Sequence, residues 1–153
     1  AMAVTIWALL TQPDQRALID AGKATYDQAL EEYARWSSPI GMSPRRVAQT
    51  DTIDGITLEP EDRVFFMFSS ACRDEAHFDN PDVFEIRRNT GPAISFGAGP
   101  HFCGGAAAAR ALISKVALPL AFASLPNLRL NGDVPFAGWA FRGPTKMPVL
   151  WDV

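Results

Sequence analysis

The stretch Phe96-Gly-Ala-Gly-Pro-His-Phe-Cys103-Gly-Gly105 limits most tightly what this chain can build. A lone cysteine sits in a glycine-rich loop, and the residues that follow, Ala106-Ala-Ala-Ala-Arg110, open an apolar helix. The N-terminus of a helix presents free amide N–H groups and partial positive charge, and both favour a thiolate placed there. Gly97, Gly99, Gly104 and Gly105 let the main chain approach a large flat object without Cβ interference. The small alanines of the first turn leave room for the same object. The pattern therefore predicts an anionic sulfur ligand pressed against a planar cofactor. The plainer reading, a buried structural cysteine, is the usual fate of a lone cysteine and lacks any need for the glycines. Cys72 has no such frame and reads as a small core residue.

The segment before this loop, residues 75–100, is rich in Pro, Gly, Asn and Asp and keeps no period. Irregular stretches of that length inside a compact domain are uncommon and usually functional. Upstream the chain reads as helical. Residues 3–11 form an apolar helix with no polar face, closed by Pro13, and residues 14–20 a short helix ending near Gly22. Thr25 with Gln28 has the form of a capping box, and Tyr26, Ala29, Leu30, Tyr33 and Ala34 continue at helical spacing to Ser37. Strands are expected at 46–49 and 56–58 around an Asp54-Gly55 turn. Val64 to Phe68 is a continuous apolar run, the pattern of a strand buried on both faces. Ala106 to Ser124 reads as a helix that Pro119 should kink or split, followed by short strands at 128–130 and 147–151.

A length of 153 residues suits one domain, 1–153. A net charge of -3 with interleaved signs gives no electrostatic surface for nucleic acid or anionic lipid. Two cysteines are too few for a disulfide framework, so a reducing, cytoplasmic setting is expected. The apolar opening, Ala1 to Leu10, is too short to span a bilayer. An apolar helix at the start suggests further residues ahead of Ala1, and the Ala-Met opening reads equally as a cloning scar.

The cysteine loop resembles the haem-binding signature of the cytochrome P-450 family, Phe-x-x-Gly-x-x-x-Cys-x-Gly, through Phe96, Gly99, Cys103 and Gly105. The resemblance implies that Cys103 is the proximal ligand of a thiolate-bound haem b (iron protoporphyrin IX) and the centre of catalysis. It places Phe96 beside the sulfur, Gly97 in the haem cradle and His101 on a haem propionate. A thiolate ligand pushes electron density onto iron and favours O–O cleavage. The family also carries a Glu-x-x-Arg helix, matched by Glu32-Tyr-Ala-Arg35, joined by an arginine from the intervening loop. Arg88 fits that third place, with Arg87 as the alternative. On spacing alone Glu32 and Arg35 make only an i, i+3 surface pair; by resemblance the three form a buried network. An arginine near position 45 binds a propionate in the family; Arg45 is the expected residue and Arg46 competes. Ala71-Cys-Arg-Asp74 resembles the family's Ala-Asn-Arg-Asp segment. Ile40 to Ser43 and the turn at Trp139, Ala140 and Phe141 would face a small apolar or aromatic substrate.

The fold implied is mainly α with small β-sheets: the C-terminal haem-binding part of the cytochrome P-450 fold, without its N-terminal part and most of the long distal helix. Residues 1–12 correspond to the end of that helix, and the sequence begins just after the place on it where the family carries its Ala-Gly-x-x-Thr motif. The expected activity is a haem-thiolate monooxygenase, or a fragment of one, using electrons from a ferredoxin or flavin reductase. Alone, the chain is expected to be inactive, and the haem could be absent from it. The alternative is a truncated, non-catalytic protein that binds haem or a partner, with self-association over uncovered apolar surface. A third reading, structural zinc on Cys72, His77, His101 and Cys103, has spacings that match no usual zinc pattern.

Overall fold

The structure is a computed structural model that describes residues 1–153. Three helices lead: α1 (Met2–Thr11), α2 (Pro13–Asp20) and α3 (Tyr26–Ser37). Proline opens α2 because the first helical turn needs no N–H from it. The start of α3 is fixed by its capping box: Gln28 N–H donates to Thr25 Oγ1 at 3.2 Å, and Thr25 N–H donates to Gln28 Oε1 at 2.9 Å. Each bond satisfies an amide that the helix itself leaves free.

The core lies between α1, α3 and the irregular stretch. Val4, Ala8 and Leu9 meet Ala29, Leu30 and Tyr33, and Phe84 and Ile86 close the cluster from the loop side. Both loop residues are 1% exposed, so the irregular stretch is packed into the interior. The main chain is tied there too, since Ile86 N–H donates to Oε1 of the buried Gln15 at 3.0 Å. The Tyr33 hydroxyl is buried without a hydrogen-bond partner, and burial, slightly offset by Ser37, pushes its ionisation up to about 12.

The β structure consists of separate two-stranded antiparallel pairs: β1 (Ser43–Arg46) with β4 (Arg63–Phe66), β2 (Asp51–Ile53) with β3 (Ile56–Leu58), β5 (Arg129–Leu130) with β8 (Val149–Leu150), and β6 (Phe136–Ala137) with β7 (Gly143–Pro144). The hairpin turn at Asp54-Gly55 is present, with φ of 50° and 79°. Two expectations are corrected. The strand predicted at 46–49 runs instead over Ser43–Arg46, because its register is set by the distant β4, which pairs Ser43 with Phe66 and Arg46 with Arg63. The apolar run at 64–68 is not buried on both faces: Phe65 is 44% and Phe66 53% exposed. A continuous apolar run signals burial only when a layer covers each side, and a two-stranded pair supplies none.

A short helix α4 (Phe68–Ala71) precedes the irregular stretch. After the cysteine loop comes a long helical rod, α5 (Ala106–Leu112), a π stretch (Ile113–Ala117) and α6 (Leu118–Ser124). Pro119 lacks the N–H that an α ladder would offer to carbonyl 115. The rod answers by widening, and Leu118 N–H donates to Ile113 O, five residues back. Ala106–Ser124 is long and apolar enough by length and composition to cross a membrane, and Leu112, Val116 and Leu120 form an exposed stripe along it. Its opposite side packs on α3: the single proton of the buried Ser114 hydroxyl is shared between Arg110 O, 2.6 Å away, and Asp27 Oδ1.

Candidate functional site

The cysteine loop is shaped by its own main chain. Gly97 N–H donates to Ile94 O at 2.8 Å, and Cys103 N–H donates back to Phe96 O at 2.8 Å. Gly97 and Gly99 have φ of 76° and 64°, in the left-handed region that favours glycine. A single 3₁₀ turn, Gly99–His101, lifts the middle of the loop, and Phe102 N–H donates to Gly99 O at 3.0 Å. Cys103 is exposed and not in a disulfide. A Cβ added at Gly99 or Gly104 would meet nothing within 4 Å, and one at Gly105 would stand 3.9 Å from Cys103 Sγ. The Gly104 and Gly105 N–H groups donate to no backbone carbonyl. An accessible sulfur beside free amides and open space fits a flat, thiolate-held cofactor such as haem. His101 is exposed on the same loop.

Glu32, Arg35 and Arg88 come together beneath that loop. Arg35 donates to Glu32 through Nε (2.7 Å) and Nη2 (2.8 Å), and both side chains are wholly buried. Its other N–H bonds go to carbonyls of the irregular stretch and its approach: Cys72 O at 3.0 Å, Pro81 O at 2.8 Å and Val83 O at 3.2 Å. Arg88 Nε reaches Glu32 Oε1 at 3.2 Å, Glu85 N–H reaches the same oxygen at 2.9 Å, and Arg88 also holds the carbonyls of Asp79, Asn80 and Val83. Arg87 turns outward to Glu85 at 3.6 Å. A planar five-donor guanidinium suits a site where many carbonyls converge.

Arg45 is exposed; its guanidinium donates to Ser43 Oγ at 2.6 Å and Pro44 O at 2.8 Å, and lies 5.6 Å from the Phe66 ring. Arg46 points to the other face of β1 and pairs with Glu61. Neither contacts the cysteine loop. The two segments expected to face substrate do meet each other: Ile40 bridges Phe141, and Gly41 N–H donates to Ala140 O at 2.9 Å. Gly138 is obligatory in that turn, since a Cβ there would lie 1.9 Å from Phe141 O. Trp139 and Phe141 are 71% and 74% exposed. A separate cavity of about 760 Å³, lined by Trp7, Trp36, Ser69, Arg73, Phe136 and Arg142 among others, contains no residue of the cysteine loop.

The zinc reading is overturned. No three His, Cys, Asp or Glu side chains cluster to hold a metal ion, and Cys72 is fully buried with its sulfur 3.4 Å from Ser95 Oγ. A contact the sequence reading missed is Arg110. It forms a two-pronged pair with Glu31, with Nη2 to Oε2 at 3.0 Å, and its guanidinium carbon sits 4.3 Å from the Phe96 ring centroid. The hydrogen bonds to Glu31 hold Arg110 above its ordinary value, against some loss from burial, with the charges of Glu31 and Cys103 adding smaller pushes. Its only sequence signal is that it is the one charge in α5.

This arrangement, a glycine-framed cysteine turn carried over a buried Glu-x-x-Arg helix, defines a haem-protein class. A sequence model of cytochrome P450 matches residues 25–120. The chain is 32% identical over 99% of its length to pulcherriminic acid synthase of Bacillus subtilis (strain 168), and covers 40% of that protein. It is 37% identical over 94% of its length to vitamin D(3) 25-hydroxylase of Pseudonocardia autotrophica, covering 37% of it. The crystal structure of P450BioI in complex with hexadec-9Z-enoic acid-ligated acyl carrier protein superposes with a TM-score of 0.91 at 30% identity, over 99% of this chain and 40% of that one. The chain belongs to the cytochrome P450 family. It spans about 40% of the length of the relatives it matches.

Proposed function

We propose that residues 1–153 act as one unit that supplies the cysteine side of a haem site in a monooxygenase, with Cys103 as the iron ligand. The observation that carries this reading is the exposed Cys103 in a loop whose glycines leave open space beside the sulfur. Gly97, Gly99 and Gly105 form the cradle, Phe96 stands beside the sulfur, and His101 and Arg45 take the propionates, with Arg46 as competitor for the second. Glu32, Arg35 and Arg88 hold the irregular stretch in place below. When bound, the haem supplies activation of dioxygen, with one oxygen atom passed to a small organic substrate. The chain's own part is to present the thiolate, keep water from the sulfur with Phe96, and fix the loop.

Ile40 to Ser43 and Trp139 to Phe141 offer apolar and aromatic surface, which favours an apolar or aromatic substrate. Electrons would come from a ferredoxin or flavin reductase, in the cytoplasm. The test is the absorption spectrum of the haemin-reconstituted, reduced, carbon monoxide-bound chain. A strongly red-shifted Soret band that Cys103→Ala abolishes is expected; the same spectrum in both proteins refutes the assignment. A second reading, a non-catalytic haem- or partner-binding protein, is favoured by the exposed Leu112, Val116 and Leu120 stripe, which suits self-association. Turnover with redox partners bears on the two: coupled hydroxylation by this chain excludes the second and also the expectation that the chain alone is inactive, whereas a carbon monoxide spectrum without the red-shifted band, or one unchanged by Cys103→Ala, excludes the first.

A further inference from the structure

We infer that Arg110 is a positioning residue for the cysteine loop: pinned by Glu31, its guanidinium holds the Phe96 ring and so fixes where Cys103 presents its sulfur. The inference rests on the haem-thiolate reading for its consequence, but not for its geometry. Phe96 is held at two points. Its carbonyl accepts the Cys103 N–H at 2.8 Å, and its ring lies 4.3 Å from the Arg110 guanidinium carbon. A cation over an aromatic face is attracted by the ring's negative surface, more strongly when partly shielded from water. Arg110 and Glu31 are 35% and 29% exposed, so the pair is half-buried.

Arg110 is itself fixed at both ends by one helix. Its side chain is forked onto Glu31, and its carbonyl shares the single Ser114 hydroxyl proton with Asp27. Glu31 and Asp27 lie one turn apart on α3, and Glu31 is the neighbour of Glu32. One turn of α3 therefore locks the irregular stretch through Glu32 and steadies the cysteine loop through Glu31. Lysine cannot reproduce the fork, because a point ammonium has no second parallel donor. The guanidinium is also a positive charge against Phe96, the residue whose carbonyl holds the Cys103 N–H, so its loss should leave more electron density on the sulfur.

The test has two arms. In the haem-free chain, hydrogen exchange of the Cys103 amide should be several-fold faster in Arg110→Met and Glu31→Gln than in the parent, with Ala29 amide exchange in α3 unchanged. Arg110→Lys should fall between. Arg129→Met removes a more exposed ion pair that touches neither Phe96 nor the cysteine loop and serves as control. In the haemin-loaded chain, Arg110→Met should shift the reduction potential to more negative values and lose the red-shifted carbon monoxide band faster on standing. Unchanged Cys103 exchange in Arg110→Met, or equal changes in Arg129→Met, overturns the inference. If Arg110→Met unfolds, Glu31→Gln, which keeps the cation, decides it by the same exchange measurement. Failure of the parent to take up haemin would sink the haem-thiolate reading instead, and the exchange arm would still decide on Arg110.

Discussion

The Glu32–Arg35–Arg88 knot and the cysteine loop are held by opposite means. In the knot every polar group has a partner within the chain: Arg35 alone makes bonds to Glu32 and to three carbonyls, at zero exposure. In the loop the main chain is bonded to itself, while the Cys103 side chain and the Gly104 and Gly105 amides face outward. The knot is complete as it stands, and the loop is shaped for something else. A protein that must seat a cofactor repeatedly gains from this division, since the rigid part need not be rebuilt when the open part is filled.

Stability measurements should separate the two regions. The largest effect is expected at Arg35→Met, which leaves Oε2 of the buried Glu32 carboxylate and three loop carbonyls without their donor; denaturant unfolding should show a loss of about 3–5 kcal/mol. A loss comparable to a surface substitution would mean that the knot is not the lock described. Arg88→Ala removes one bond to Glu32 and three to carbonyls at the edge of the knot, where the side chain is 11% exposed. Its cost should be smaller, about 1.5–3 kcal/mol. Cys103→Ser should change the stability of the haem-free chain by no more than about 0.5 kcal/mol, because nothing in the fold leans on that sulfur. A large loss there would abolish the contrast between the regions.

The smallest effect concerns Asp152, outside both. Hydrogen bonds from Asn127, then from Arg129, hold its carboxyl below the usual range. Its contribution is therefore present above the unfolded carboxylate value and is lost as pH falls through the lower folded value. Asp152→Asn should slightly lower the neutral part of a melting-temperature profile and meet the parent at low pH, so that the acid limb is flatter; an unaltered profile would remove this pairing from the account.

Much of the site was legible because its signals are local. The cysteine with its glycines, the Thr25 and Gln28 box and the Asp54-Gly55 turn each lie within a few residues, and each has a direct stereochemical meaning. What failed was non-local. The strand at 43–46 is placed by a partner some twenty residues on, and no periodicity in four residues announces that. The run at 64–68 is as apolar as a buried strand, but covering layers are a property of the assembly of elements. Arg88 is the expected partner of Glu32 on paper and Arg87 the alternative, and it is the path of the loop that turns Arg88 inward and Arg87 outward. Arg110 meets Glu31 across 79 positions of sequence, and a lone arginine after four alanines looks like ordinary solvation.

The widened stretch at Ile113–Ala117 has a consequence for how this rod tolerates change. Each added residue in an α-helix turns everything beyond it by about 100°. A five-residue repeat absorbs such an addition locally, so Phe122 still lies flat on Tyr26, 5.8 Å between centroids, under the Arg16 guanidinium. The rod thus carries slack at one point along its length. Removing one residue between 113 and 121 would consume that slack and keep the downstream ring in phase, whereas removing two would swing it away from its stacking partner.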